Sequence, residues 1–144
     1  MTQKKLVVAY DGSHNSENAL KLAGEIAKGF GAEILLVTVI ANDYHSSRRE
    51  IGPIDLHQMQ QANEMHWREI SESGAKQALE WGISVKVVLL TGEPAGTLLS
   101  YAEKEKADMI VVGPRGLGTF ESLLLGSITQ KILSHSTISV IVAK

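Results

Sequence analysis

Three short segments hold the residue types and spacings that could do chemistry. Ala9-Tyr10-Asp11-Gly12-Ser13 places a carboxylate and two small turn-forming residues directly after an apolar run. Val112-Gly113-Pro114-Arg115-Gly116-Leu117-Gly118 is the most glycine-rich of the segments that follow an apolar run, and Gly126-Ser127-Ile128 opens the last helical pattern. Glycine admits φ > 0 and close approach of a ligand to the backbone, and successive amide N–H groups curved inward cradle phosphate oxygens. A helix start adds free N–H groups and a favourable dipole for anions. The second and third segments together read as a phosphate site.

The other chemistries that these residues could serve are weaker. No Gly-x-x-x-x-Gly-Lys-Ser/Thr is present, and Gly116-x-Gly118 lacks the third glycine of a dinucleotide fingerprint. The five histidines, His14, His45, His57, His66 and His135, have no mutual spacing that makes a metal set, and no cysteine assists them. No base can be assigned to Ser127 as a nucleophile. Asp11 has a second reading, as a turn residue or helix cap with Gly12 supplying the backbone angle. Gly113 and Gly116 equally suit a tight strand-to-loop turn, and Ser127 an ordinary N-cap, a role that does not exclude phosphate binding.

Five apolar runs position these segments: Leu6–Tyr10, Ile34–Ile40, Val85–Leu90, Met109–Val112 and Ile138–Val142. They are apolar on consecutive positions, as strands buried on both faces of a parallel sheet are. Between them lie helical patterns. Ala19, Leu20, Leu22, Ala23, Ile26, Ala27 and Phe30 recur at helix spacing, with Ser13 and Ser16 as caps and Gly31 as the stop. Ile54–Trp81 reads as one long helix, fraying near Gly74, with Met65, Trp67 and Trp81 as packing residues. Pro94 opens a third helix that leaves through the solvated run Glu103–Lys106, and Ser127–Ser134 forms a fourth. Ala41–Pro53 is too polar to pack and reads as a surface loop. The alternation predicts an α/β fold with right-handed crossovers and helices on both faces. In such a sheet ligands bind beyond the carboxyl ends of the strands, where all three segments fall.

With 144 residues, 44% hydrophobic and 21% charged, and no internal repeat, the chain reads as one globular domain over 1–144. Lys plus Arg total 14 against 16 Asp plus Glu, a net charge of −2, which lacks the basic field that nucleic acid or anionic lipid would need. The absence of cysteine excludes disulfides, thiolate metal sites and Cys nucleophiles. No signal-peptide core and no apolar run of about 20 residues is present, so the expectation is a cytoplasmic protein with neither membrane nor nucleic acid as partner.

The full spacing, Gly113-x-x-Gly116, nine residues, then Gly126-Ser127, resembles the ATP-binding pattern of universal stress proteins. Asp11-Gly12-Ser13, Leu125-Gly126-Ser127-Ile128 and the final apolar run extend that resemblance over nearly the whole chain. It implies an open, doubly wound, Rossmann-like five-stranded parallel sheet of the adenine nucleotide alpha hydrolase-like kind, with strand order 3-2-1-4-5. It implies a regulatory, stress-response module holding ATP, or AMP or ADP, with Mg²⁺. Ala9, Val39 and Val112 would line the base pocket, Asp11 would hold the ribose or lie beside the adenine, and Gly113, Gly116, Gly126, Ser127 and Ile128 would surround the phosphates. Pro114 departs from the family's frequent Ser or Thr and removes one phosphate donor; Arg115 either compensates with a charge-assisted contact or points into solvent. Two rival functions remain: a weak ATPase or nucleotidyl-transferring enzyme, and a nucleotide-free interaction module. Efficient phosphoryl transfer is not expected from a loop offering only Arg115 and backbone dipoles. The resemblance also implies a homodimer through Ile138–Val142, an apolar edge strand.

Overall fold

The computed structural model describes residues 3–41, 53–117 and 124–144. Its elements alternate along the chain as β1 (Lys5–Ala9), α1 (His14–Phe30), β2 (Glu33–Ala41), α2 (Pro53–Glu80), β3 (Val85–Gly92), α3 (Pro94–Lys104), β4 (Met109–Val112), α4 (Ser127–His135) and β5 (Ser139–Val142). All strand pairings are parallel, as the apolar runs predict, and the sheet order is β3-β2-β1-β4-β5, as the family resemblance implies. Of the loop expected over Ala41–Pro53, Ala41 closes β2 and Pro53 opens α2; residues 42–52 lie outside the described residues, as do residues 118–123.

The strands are apolar on consecutive positions because helices cover both sides. Leu6, Val8 and Tyr10 pack with Leu20, Ala23, Leu36 and Ala78 on the side of α1 and α2. Val7, Leu35 and Val37 pack with Leu98, Ala102, Ile110 and Ile132 on the side of α3 and α4. Neighbouring residues of one strand thus feed two separate cores.

α1 begins at Ser13, whose side chain accepts the Ser16 N–H at 3.2 Å, and ends at Gly31 in the left-handed conformation. Ser16 therefore sits inside the helix, not at its cap. Phe30, expected on the apolar face, is 73% exposed. It holds the last helical position, beyond Ala27, the final residue of α1 that is buried.

α2 does not fray at Gly74. The helix is continuous, and glycine is there because the Tyr10 ring lies against it: a Cβ would stand 2.6 Å from the ring's Cζ. Burial pushes the Tyr10 phenol above its ordinary value, with the charges of Glu17 and Asp11 adding to the effect. At 28 residues α2 is ~42 Å long, against ~30 Å for the nine-residue β2, so one end has no sheet beneath it. Met65, expected in the core, is 64% exposed because it lies on the side of α2 opposite the buried Ser71, Gly74 and Ala78, whereas Trp81 packs on the first core and Trp67 is half-buried.

The charged exit of α3 is not simply solvated. Glu105 reaches Lys5 of β1 at 3.5 Å, and Glu103 accepts the Thr137 hydroxyl at 3.2 Å, tying α3 to the sheet and to the start of β5.

Candidate functional site

β1 and β4 are neighbours in the sheet, but α1 leaves β1 toward one face and α4 leaves β4 toward the other. Between their carboxyl ends a cleft opens, enclosing about 580 Å³ with its open mouth included. Ala9, Val37, Val39 and Val112 form an apolar floor, α3 adds Pro94 and Leu98, and α4 adds Ile128, Thr129 and Ile132. The polar side chains are Tyr10, Asp11, Ser16, Arg115 and Thr129. β1 is paired with β2 only as far as Ala9 opposite Val37, whereas β2 continues beside β3 to Ala41. Val39 therefore stands past the end of β1, beside open space.

Asp11 is held from two sides. One carboxylate oxygen accepts the Ser13 N–H at 2.9 Å, and the other accepts the Leu117 N–H at 3.0 Å. Gly12 has φ +82°, which shapes the turn between strand and helix. The Asp11 N–H in turn donates to the Ser16 hydroxyl oxygen at 3.3 Å, and that hydroxyl donates to the Ser13 carbonyl at 2.9 Å. Beneath this turn a buried pair of hydroxyls, Thr38 and Ser71, stand 2.7 Å apart, and Thr38 donates to the Tyr10 carbonyl at 2.8 Å. Each carboxylate oxygen of Asp11 keeps a second lone pair, so the group can accept hydroxyl donors from a ligand without leaving its place.

The loop after β4 is anchored onto α4. The Gly113 carbonyl accepts the buried Thr129 hydroxyl at 2.9 Å, and the Pro114 carbonyl accepts the Gly126 N–H at 2.7 Å. Gly126, not Ser127, is the N-cap of α4, and a glycine brings no side chain to occupy the helix's first N–H groups. The contrast with α1 and α3, which start at the same edge, is sharp. Ser13 caps α1, and the Glu93 carboxylate caps α3, accepting from Gly96 at 2.6 Å and from Ala95 at 3.2 Å. These bonds, that to Gly96 foremost, hold the Glu93 carboxyl below its ordinary value; the Lys131 ammonium 3.7 Å away adds to the effect.

A family model described as the universal stress protein family matches residues 2–144. The chain belongs to that family. Among universal stress proteins, one from Methanocaldococcus jannaschii is 33% identical over 141 residues, covering 98% of this chain and 82% of the relative. YxiE from Bacillus subtilis is 31% identical over 145 residues, covering 97% and 98%. The solved UspA from Lactobacillus plantarum superposes with a TM-score of 0.84 at 21% identity, covering 100% and 99% of the two chains. A universal stress protein in complex with cAMP gives 0.75 at 24% identity, covering 100% and 99%. A family member from Arabidopsis thaliana with AMP bound gives 0.70 at 22%, covering 98% and 91%. At such identities the structural likeness establishes the fold.

Eight of the residues singled out from the sequence line the cleft of this universal stress protein: Ala9, Asp11, Val39, Val112, Gly113, Arg115, Gly116 and Ile128. Gly126 and Ser127 stand at the start of α4, next to that lining. The glycines, however, serve the fold first. A Cβ on Gly113 would come within 2.9 Å of the Asn15 carbonyl oxygen, so this glycine lets α1 approach β4. A Cβ on Gly116 would collide with the Asp11 carboxylate, so the space beside Gly116 is filled by Asp11. Ser16, Thr129, Pro94 and Leu98 were not foreseen. Their signal was topological: every helix in a parallel sheet starts at the same edge, so the proline-marked start of α3 had to arrive here too. His14, His57, His66 and His135 are exposed, and His45 and Gly118 lie outside the described residues.

Proposed function

We propose that this universal stress protein is a regulatory module that holds an adenine nucleotide, ATP foremost, in the cleft between β1 and β4. The observation that carries the reading is the pairing of an apolar floor with a helix start whose cap residue, Gly126, has no side chain. Ala9, Val39 and Val112 offer surfaces for a flat base, and Asp11, already fixed by two N–H donors, accepts ribose hydroxyls. Gly116, Gly126, Ser127 and Ile128 present the phosphate end, with Arg115 lining the same cleft and Gly113 shaping it. Mg²⁺ arrives on the phosphates. Structural neighbours solved with AMP and with cAMP support the choice of an adenine ligand.

Bound nucleotide would link the end of β1, the loop after β4 and α4, and so stabilise one arrangement of all three. Phosphoryl transfer needs a positioned attacking group and charge stabilisation, so turnover is expected far below the ~10 s⁻¹ typical of enzymes. We further propose a homodimer through β5, an edge strand of the sheet that, among the described residues, pairs with β4 alone.

The test is calorimetric titration of ATP, AMP and adenosine into wild type and Gly126→Val. Weakened ATP binding with adenosine retained is expected, because a side chain at the cap crowds only the phosphate end. Equal ATP affinity in the two proteins overturns the assignment of phosphate to α4.

A further inference from the structure

Glu93 and Lys131 form an ion pair between α3 and α4, with Lys131 Nζ 3.7 Å from Glu93 Oε1. Neither residue is part of the cleft lining, but each adjoins it in sequence. Glu93 immediately precedes Pro94, and Lys131 immediately precedes Ile132; both Pro94 and Ile132 are part of the lining. We infer that this pair is a displaceable clasp, in which Lys131 is a phosphate-binding residue that Glu93 holds beside the site until a nucleotide's phosphates draw it away. The inference rests on the nucleotide reading proposed above and adds to it a residue that selects ligands by their charge.

Three features support it. Lys131 lies one helical turn after Ser127, and long side chains on a helix lean toward its N-terminus, so the ammonium extends toward the glycine-capped start of α4. The two partners are also unequally bound. Glu93 receives two backbone N–H groups of its own helix and stays fixed without Lys131, whereas Lys131 meets Glu93 beyond hydrogen-bond range. Finally, both side chains are more than half exposed, at 59% and 55%, and ion pairs in that setting contribute little and exchange readily. A phosphate chain carries more charge than one carboxylate and accepts charge-assisted hydrogen bonds, so it outcompetes Glu93. The preference for ATP over AMP, and for AMP over adenosine, then resides partly in Lys131.

The experiment is calorimetric titration of adenosine, AMP and ATP into wild type, Lys131→Gln, Lys131→Arg and Glu93→Gln. Lys131→Gln is expected to weaken ATP about tenfold, the scale of one charge-assisted contact, and to leave adenosine unchanged. Lys131→Arg should restore ATP binding, and Glu93→Gln should tighten it by removing the competing anion. ATP affinity unchanged in Lys131→Gln overturns the clasp and leaves the nucleotide site standing. Equal losses for adenosine and ATP also overturn it, since they would trace to packing of α4. Wild type binding none of the three ligands overturns the nucleotide reading and the clasp with it.

Discussion

The Asp11 carboxylate accepts the backbone N–H of Leu117 at 3.0 Å, joining the end of β1 to the loop after β4 across 106 positions of sequence. The bond makes the loop's position depend on a residue that also faces the cleft. Asp11→Ala is expected to weaken adenosine and ATP alike by about tenfold, the scale of a lost hydrogen bond to a charged group. It should also speed amide exchange at Leu117. Loss of ATP affinity with adenosine unchanged, read by calorimetry, would move Asp11 from the ribose to the phosphate end.

Gly113 separates stability from binding. Adding a Cβ there forces it against the Asn15 backbone, so Gly113→Ala should destabilise the fold by about 1–3 kcal/mol, the usual range for overpacking. A lower urea midpoint with an unchanged slope is the expected result. An unshifted midpoint would mean that α1 yields at no cost.

Thr38 and Ser71 share one buried hydrogen bond, and Thr38 also serves the Tyr10 carbonyl. Thr38→Val strips two buried polar groups of a partner and should cost about 1–3 kcal/mol. Combined with Ser71→Ala, the loss should fall short of the sum of the single changes, because both remove the same bond. Strict additivity in a double-mutant cycle would show the two hydroxyls to be energetically independent.

Glu93 supplies a pH dependence. Its carboxyl lies below the ordinary value of 4.5 because the α3 N–H groups, Gly96 first, favour the charged form. A carboxylate lowered in the folded state contributes its stability in full above the unfolded value and loses it as pH falls through the folded one. The melting temperature of wild type should therefore exceed that of Glu93→Gln at about pH 6, and the gap should close toward about pH 3. A gap that is constant across this range would mean that the cap does not favour the charged form.

β5 offers a test of assembly. The Ala143 N–H donates to Val112 of β4, and backbone N–H groups alternate in direction along a strand, so that of Val140 points to the open edge. Val140→Pro removes this outward donor while sparing the bonds to β4. Sedimentation at tens of micromolar, an order of magnitude for a working dimer, should show dimeric wild type and monomeric Val140→Pro. A folded variant that remains fully dimeric would place the interface elsewhere.

Element order and sheet layering were legible because consecutive apolar runs, Gly31, Pro94 and the two glycine segments each mark one local event. The errors have separate causes. Phe30 fits the helical stripe of α1 but lies past the last packed turn, and Met65 is apolar without lying on the buried side of α2. Gly74 looked like a weak point because its reason, the ring of Tyr10, lies far away in sequence. Likewise Thr129, Ser16, Pro94 and Leu98 reach the cleft only through topology, and Gly113 and Gly116, which line it, also make room for Asn15 and Asp11, a second role that spacing does not reveal.

The step in the sheet, where β1 stops opposite Val37 and β2 continues to Ala41, is four residues, or ~13 Å, deep. A terrace of this kind is a matter of how many residues each strand contains, not of which ones. Because the step is set by backbone pairing, substitution of the side chains around it leaves the hollow in place. What makes the hollow is a tally of strand lengths, and the few side chains at the rim are free to decide which ligand it receives.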